Sequence, residues 1–412
     1  MKPFFQVQTV AQVHAHVQTV KPLDCQEVDL LQAGGRTLAQ DLVAPHDLPG
    51  FERACMDGYA VQAADTFGVS ETLPGYLTLV GEVVMGQAPD FRLGPGQCAR
   101  IMTGGMLPLG ADAVVMVEHT RGLDAGTVEV SRAVAPGGNL LGPRDDAAAG
   151  QVLLPAGQVL RPQDLGLLAA LGCARVSVAR RPRVGIISTG DEVVPVQASP
   201  GPGQVRDVNT YTLARAVSEA GGEPQLLGLV GDDEQALIRA VAQSLAQDDL
   251  TLLSGGSSMG GRDLTAQIFL AQPGAELLVH GVAVAPGKPF IWVRTPAGQL
   301  LGLPGQVASC LVAFHLFAEP IIERLLGGRG QAFSRFGRQA AVLARNLPSA
   351  PGREEYVRVR LVAQNGHLSA EPLFGKSGLI RTLVEAVGLV RVPMNREGLE
   401  AGEAVEVLTF PA

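Results

Sequence analysis

Apolar residues near the start of the chain recur at three- and four-residue spacing, at Val10, Val13, Val17 and Val20. This spacing is typical of the buried stripe of an amphipathic helix. Between residues 47 and 146 the pattern changes to short apolar runs bounded by Gly or Pro, which predicts a small β-rich domain. A strand at 152–154 and a helix at 162–171 follow. We expect them to pack back on the N-terminal segment, so that the β-rich domain is an insertion.

From residue 183 to 326 apolar runs alternate with amphipathic segments. The pattern predicts strands at 183–188, 224–230, 250–253, 289–293 and 300–303. It predicts helices at 209–220, with Asn209 as the cap, from Asp232 or Asp233 to 245, and at 307–326. Repeated strand–helix units indicate a mostly parallel sheet with helices on both faces. After residue 338 strict alternation returns, so a separate β domain is expected to end the chain.

The composition narrows the function classes. The chain has 412 residues, which is enough for two to four domains of about 150 residues. Its 32 basic and 40 acidic residues give a net charge of -8, so we expect neither nucleic acid nor anionic lipid as a partner. The five cysteines have no CxxC spacing, which disfavours a zinc knuckle. Without a secretory signal or an apolar stretch of about 20 residues, a cytoplasmic protein is expected.

Three glycine-containing loops follow predicted strands, at 189–192, 254–263 and 302–305. In a doubly wound sheet the ligand binds beyond the carboxyl ends of the strands. Glycines let the backbone N–H groups approach phosphate oxygens, although such loops can also be plain turns. Neither GxGxxG nor GxxxxGK[ST] occurs, so an ordinary dinucleotide-binding fold and a P-loop are disfavoured.

Several carboxylates accompany these loops: Asp191, Glu192, Asp232, Asp233 and Asp263. Mg²⁺ takes one or two carboxylates together with phosphate and water, whereas the last three residues can alternatively cap helices. Lys288 stands in a Pro-Gly-Lys-Pro sequence that suits an anion site, or is an exposed loop lysine. Asp57 precedes a glycine and can belong to a site or to a turn. The residues themselves therefore predict a phosphorylated, metal-assisted ligand on the α/β domain, with no reaction specified.

Eight short motifs occur in a fixed order along nearly the whole chain. They are DLPGF (47–51), MDGYAV (56–61), RIMTG (100–104), STGDE (188–192), SGG (254–256) through Asp263, PGKP (286–289), GLPG (302–305) and SGL (377–379). As an ordered set they resemble the molybdopterin molybdenumtransferase family, the MoeA-like proteins that include the E domain of gephyrin.

The resemblance implies a multidomain α/β plus β fold. The implied parts are an elongated N-terminal domain (1–46 and 147–180), an inserted β-rich domain (47–146), a doubly wound molybdopterin-binding α/β domain (181–329) and a C-terminal β barrel-like domain (330–412). It also implies a homodimer with a shared site and other cofactor-biosynthesis proteins as partners. The implied reaction inserts molybdate into adenylated molybdopterin with Mg²⁺, giving molybdenum cofactor and AMP.

The resemblance assigns roles by motif match. The implied catalytic residues are Asp57, Thr103, Asp146 and Lys288, and the implied metal ligands are Asp57, Asp146 and Asp263. The pterin phosphate and nucleotide would contact Thr189, Gly190, Asp191, Glu192, Gly255, Gly256 and Asp263. The molybdate pocket would include Lys288, Pro289, Ser309, Arg358 and Ser377, since a dianion calls for cationic and hydroxyl donors.

The chain departs from the family pattern at three motifs. Ala285 replaces the first lysine of Lys-Pro-Gly-Lys-Pro, Gln306 and Val307 replace the end of Pro-Gly-Asn-Pro, and Ser257-Ser258 replaces Val-Ser. Losing a cation weakens a molybdate pocket. Three hypotheses follow: an active molybdenum insertase, a non-catalytic paralogue that binds or carries the pterin nucleotide, and a generic nucleotide-binding hydrolase.

Overall fold

A computed structural model describes residues 7–255, 264–364 and 366–411. The chain divides into two compact units. The larger unit consists of Met1–Ala39, Gly157–Arg161 and Arg175–Ala412, and the smaller unit of Gln40–Ala156 and Pro162–Ala174. The predicted division into four domains is finer than this and stays a prediction.

A six-stranded sheet forms the centre of the larger unit. Across the sheet its strands are Glu223–Val230, Arg183–Thr189, Leu250–Ser254, Gln299–Leu303, Ile291–Arg294 and Glu276–His280. The first four are parallel to one another, and the last two continue the sheet in antiparallel pairing. The mostly parallel sheet agrees with the sequence pattern.

Helices cover both faces of this sheet. Ile186 belongs to the apolar cluster that includes residues of the helix Asn209–Glu219. Its neighbour Ile187 belongs to the opposite cluster, with residues of Glu234–Leu245 and Leu264–Leu270. Successive strand residues point to opposite faces, so burial on both sides explains why these strands are apolar almost throughout.

The predicted single helix at 307–326 is interrupted in the structure. It consists of Val307–Ala313, a π-helical turn at Phe314–Ala318, and Glu319–Leu325. Within the turn the Glu319 N–H donates to the Phe314 carbonyl, five residues earlier. Pro320 lacks the N–H of a regular helical bond, and the wider turn before it accommodates that loss.

The end of the chain forms a closed β barrel. Its five strands are Gly337–Leu343, Glu354–Gln364, His367–Pro372, Gly388–Val392 and Ala404–Thr409. The strand Glu354–Gln364 pairs with two neighbours, which closes the ring. Leu343, Val359 and Val407 are buried inside it. The barrel confirms the expected β barrel-like C-terminal domain.

The larger unit contains further short elements. These are the helices Val10–Val17 and Ile380–Val384, the 3-10 helix Leu30–Gln32, the strand pairs Cys25–Asp29 with Arg175–Ala179, Val193–Val194 with Val205–Arg206 and Leu347–Pro348 with Gly398–Leu399, and the strand Val284–Ala285. Thr9 and Gln12 form a capping box that begins the first helix where the sequence predicts it. None of the helices in the described ranges has the length and apolar character needed to cross a membrane.

The smaller unit is built on a second six-stranded sheet. Its strands are, across the sheet, Ala113–Met116, Gly58–Val61, Gln97–Ile101, Gly75–Glu82, Thr127–Val130 and Thr120–Gly122. Two short pairs, Arg53–Ala54 with Leu140–Leu141 and Leu42–Val43 with Val152–Leu154, and the helix Pro162–Ala170 accompany it, with 3-10 turns at Ala63–Thr66 and Val117–His119. The β-rich character predicted for 47–146 is present.

Candidate functional site

The parallel strands of the larger unit end at the same edge of the sheet, and two of them end in polar residues, Thr189 and Ser254. Thr189 ends its strand, is buried, and donates from Oγ1 to Asp232 Oδ1 at 2.8 Å. The Asp232 N–H donates to Asp191 Oδ1 at 3.0 Å. Asp232 therefore belongs to the strand edge. The helix cap is Asp233, which accepts from the Ala236 N–H at 2.7 Å.

Gly190 and Gly255 line this edge of the sheet and form a glycine floor. Gly190 has φ +141° and Gly255 has φ +111°, both in the region that L side chains rarely adopt. A β-carbon at Gly255 would lie 2.3 Å from the Thr189 carbonyl oxygen, and one at Gly305 would lie 3.5 Å from the Gly255 Cα. Glycine is therefore required at position 255, because the backbone there passes close to the end of the neighbouring strand. The predicted contacts Gly256 and Asp263 lie outside the described residues, and Glu192 is exposed.

Behind the glycines lies a buried network of hydroxyl groups around one carboxylate. Ser188 Oγ lies 2.9 Å from Thr210 Oγ1 and 3.2 Å from Ser254 Oγ, and it donates to Asp207 Oδ1 at 3.2 Å. All four side chains are buried. Asp207 also accepts from the Thr210 N–H at 3.1 Å. This network fixes the ends of two strands and the start of a helix relative to one another.

Asn209 corrects one expectation from the sequence. The helix begins at Asn209, and Asp207, not Asn209, accepts a backbone N–H of its first turn. The Asn209 side chain instead donates from Nδ2 to the Gly305 carbonyl at 2.8 Å. It therefore ties the start of the helix to the loop after the last parallel strand.

The residues expected around molybdate also approach one another. The Ala308 N–H donates to the Ser377 carbonyl at 3.0 Å, which joins the helix that contains Ser309 to the SGL motif. A β-carbon at Gly287 would lie 3.8 Å from the Ser309 carbonyl oxygen, so the Pro-Gly-Lys-Pro loop packs against the same helix. Ser309 is buried, Pro289 and Ser377 are half-buried, and Lys288 is exposed.

Arg358 supplies a buried cation beside this group. Its guanidinium donates from Nη2 to the Gly375 carbonyl at 2.7 Å and from Nη1 to Thr382 Oγ1. Only 8% of the residue is exposed, and this burial lowers the pKa of Arg358. A guanidinium held by neutral partners keeps its positive charge available for an oxyanion.

The smaller unit brings Asp57 and Thr103 together. Thr103 donates from its backbone N–H and from Oγ1 to Asp57 Oδ1, both at 2.7 Å. The backbone bond, then the hydroxyl bond, lowers the pKa of Asp57, so this exposed carboxylate stays ionised. The next residue must be glycine, because a β-carbon at Gly58 would lie 1.9 Å from the Val115 carbonyl oxygen.

Asp146 lies beside another of the motifs. Its backbone N–H donates to the Leu48 carbonyl at 3.0 Å, and its side chain is exposed. Arg144 donates to Asp47 Oδ2 at 2.9 Å, so the DLPGF motif and the Arg-Asp-Asp sequence form one exposed corner. In the part of the chain that the structure describes, no three His, Cys, Asp or Glu side chains are grouped so that they could hold a metal ion.

Ala285, Gln306 and Val307 are described positions at which the chain departs from the family pattern. Ala285 lies in a two-residue strand paired with Glu354–Gln364. Gln306 is exposed directly before the helix Val307–Ala313 and makes no capping bond, and Val307 is buried as the first helical residue. The structure gives no further account of these exchanges.

Sequence reasoning missed Asp207, Thr210 and the site role of Asn209. The available signal was their position directly before and at the start of a predicted helix, on the side of the sheet where the strands end. Asp207 and Thr210 contact Ser188, which is distant in sequence, and no local pattern reports such a contact.

The fold and this polar edge define a class: a doubly wound α/β protein with a polar, glycine-containing edge at the carboxyl ends of its parallel strands, where ligands bind in such sheets. Three family models match the chain. They are described as MoeA N-terminal region (domain I and II), over residues 7–172, probable molybdopterin binding domain, over 185–324, and MoeA C-terminal region (domain IV), over 340–410.

Curated relatives resemble nearly the whole chain. A molybdopterin molybdenumtransferase of Nostoc sp. is 37% identical, covering 94% of this chain and 89% of the relative. One of Bacillus subtilis is 34% identical, covering 90% and 87%. The crystal structure of a molybdopterin biosynthesis MoeA protein from Pyrococcus horikoshii has a TM-score of 0.84 and 30% identity, covering 98% of this chain and 100% of that one. The chain belongs to the molybdopterin molybdenumtransferase family, a family of enzymes. The predicted family and fold class are confirmed.

Proposed function

We propose that this protein inserts molybdenum into adenylated molybdopterin, releasing molybdenum cofactor and AMP. One observation supports this most: the glycine-lined strand edge and the residues expected around molybdate meet along a single chain segment. Gly305 packs near Gly255, and three residues later the Ala308 N–H binds the Ser377 carbonyl. A nucleotide and an oxyanion can therefore be held side by side.

We assign the pterin phosphate and nucleotide to the strand edge. Gly190 and Gly255 turn the backbone at the ends of the strands with positive φ, and the backbone N–H groups of such glycine-containing loops suit phosphate oxygens. Thr189, Asp191 and Glu192 complete this half, and Gly256 and Asp263 belong to it by motif match.

Molybdate is assigned to the second half of the site. Arg358 and Lys288 provide positive charge, and Ser309 and Ser377 provide hydroxyl donors, with Pro289 shaping the loop. Gly287, directly before Lys288, packs against the helix of Ser309, which supports this assignment. Electrostatic stabilisation by positioned cations and donors is the main contribution that such residues make when a phosphoanhydride is cleaved.

Asp57, Thr103, Asp146 and Lys288 are the proposed catalytic residues. Asp57, Asp146 and Asp263 are the proposed Mg²⁺ ligands. Asp57 fits this role because it stays ionised, Thr103 engages its Oδ1, and carboxylate oxygens are the ligands that Mg²⁺ takes. When bound, Mg²⁺ would neutralise phosphate charge. The proposal includes a homodimer with a shared site, a cytoplasmic location, and other cofactor-biosynthesis proteins as partners.

The test is AMP release from adenylated molybdopterin, with and without molybdate, by the native chain and by Asp57→Ala. We expect molybdate-dependent release by the native chain and its loss in the variant. Asp57 is exposed, so the variant should still fold, and its melting temperature serves as the folding control. Binding of the substrate without release by the native chain would favour the non-catalytic carrier instead.

A further inference from the structure

The two polar atoms of the Asn209 side-chain amide, Nδ2 and Oδ1, differ in their hydrogen bonding. Its Nδ2 donates to the Gly305 carbonyl at 2.8 Å, which fixes the orientation of the amide because only the nitrogen can donate. Its Oδ1 is buried and has no hydrogen-bond partner among the residues that the structure describes, and only 7% of the residue is exposed. A buried acceptor without a donor is unfavourable by about 1–3 kcal/mol. Asn209 is therefore a poor choice for stability alone.

The bond to Gly305 has consequences along the following chain. Gly305 lies between the Gly255 floor and the helix Val307–Ala313, which contains Ser309. The segment 305–309 is held at two points, by Asn209 at the Gly305 carbonyl and by Ser377 at the Ala308 N–H. Val307, Ala308 and Ser309 are buried, whereas Gly305 and Gln306 are exposed, so packing holds the start of this segment less than its end.

We propose that Asn209 is a positioning residue for molybdate. It holds Gly305, and through Gly305 it sets the place of Ser309 relative to the glycine floor. Asn209 does not contact molybdate itself. The inference rests on the proposed function, because it concerns the oxyanion half of that site.

Two variants separate positioning from folding. Asn209→Leu has a similar shape but removes both the bond to Gly305 and the unpaired Oδ1. Asn209→Asp keeps the shape and puts an oxygen against the Gly305 carbonyl, so it tests the same bond if the leucine variant does not fold. Asn346→Asp is the control. Asn346 is exposed in a loop of the C-terminal region, and its Oδ1 accepts a hydrogen bond from the Ala401 N–H. Aspartate keeps an oxygen at that position.

The readouts are the KM for molybdate, the KM for adenylated molybdopterin and the melting temperature. We expect both Asn209 variants to raise the KM for molybdate by about tenfold, the effect of losing one hydrogen bond of about 1.4 kcal/mol. The KM for adenylated molybdopterin should change by less than about threefold. The melting temperature of Asn209→Leu should stay within about 2 °C of native, because the unpaired acceptor is lost together with the bond.

An unchanged KM for molybdate in both variants would overturn the proposal. So would a fall in melting temperature with an equal rise in both KM values, since that is the signature of a structural role. If the native chain releases no AMP, the proposed function fails, and calorimetric titration of molybdate alone still decides the role of Asn209. Equal molybdate affinity in native and variant chains, or no binding by the native chain, would then contradict it.

Discussion

Thr103 shows how a neighbouring residue sets the charge state of Asp57. It donates two hydrogen bonds to the same carboxylate oxygen, and both favour the ionised form. In Thr103→Val the backbone bond can persist, but the hydroxyl bond is lost. We expect the pKa of Asp57 to rise toward its ordinary value, and the acid limb of the pH–rate profile to move to higher pH.

The measurement is an NMR titration of the Asp57 carboxyl group beside the pH dependence of kcat/KM. Thr103→Ser is the matched control, because it keeps the hydroxyl donor and should keep the low pKa. A valine variant that titrates like the native chain would show that the hydroxyl bond does not set the charge of Asp57.

Individual site residues differ in how far the sequence reveals them. Gly190 and Gly255 could be predicted, because a glycine directly after an apolar strand is visible in the sequence and the fold rule says where strands end. The network of Ser188, Asp207 and Thr210 could not, because it depends on contacts between separate segments. Local propensity predicts that Asn209 caps the helix, but its side chain donates a hydrogen bond to the Gly305 carbonyl, which is distant in sequence.

Among the secondary-structure elements, the helix Pro162–Ala170 offers a direct test of glycine's role. Gly166 lies inside the helix, and a β-carbon there meets nothing within 4 Å. Gly172 follows the helix with φ +79°. We expect Gly166→Ala to raise the free energy of unfolding by about 0.5–1 kcal/mol, since alanine loses less backbone entropy.

Gly172→Ala is the paired variant, and it should lower the free energy of unfolding because alanine is strained at positive φ. Urea denaturation of both variants and of the native chain gives the comparison. Destabilisation by Gly166→Ala would contradict the open surroundings of that position.

Elements with strong periodicity were predictable to within a residue or two, as for the strands Arg183–Thr189 and Leu250–Ser254. The strand Glu276–His280 was missed. It pairs antiparallel with Ile291–Arg294 at the edge of an otherwise parallel sheet, and a strand–helix alternation does not predict such an edge. The π-helical turn was missed because apolar periodicity does not report how Pro320 alters the helix before it.

At the scale of the whole molecule, one backbone hydrogen bond joins the two halves of the proposed site, between the helix Val307–Ala313 and the segment that contains Ser377. Ala308 is the second residue of its helix, so its N–H has no partner within the helix and donates to the Ser377 carbonyl instead. Ala308→Pro removes that N–H while the helix start tolerates proline. We expect the KM for molybdate to rise by about tenfold through the loss of one hydrogen bond.

Val307→Pro is the matched control. It restores the proline that the resembled motif has at this position and leaves the Ala308 N–H in place. A KM for molybdate that rises equally in both variants would assign the effect to the helix start rather than to the bond with Ser377.

The family and the fold class were predictable from ordered motifs spread over the chain, and the comparisons confirm both. The contact that joins the halves of the site was not predictable, because the Ala308 N–H and the Ser377 carbonyl are backbone groups and leave no signal in the residue types. The assigned roles of the site residues and of Mg²⁺ remain proposals.

The measurement that tests molybdenum insertion most directly is the ratio of molybdenum bound to AMP released. Native protein is supplied with adenylated molybdopterin, Mg²⁺ and molybdate, and both products are counted in the same sample. We expect one molybdenum atom in the pterin product for each AMP released, and no AMP without molybdate. AMP released without molybdenum in the product would contradict it and identify a hydrolase.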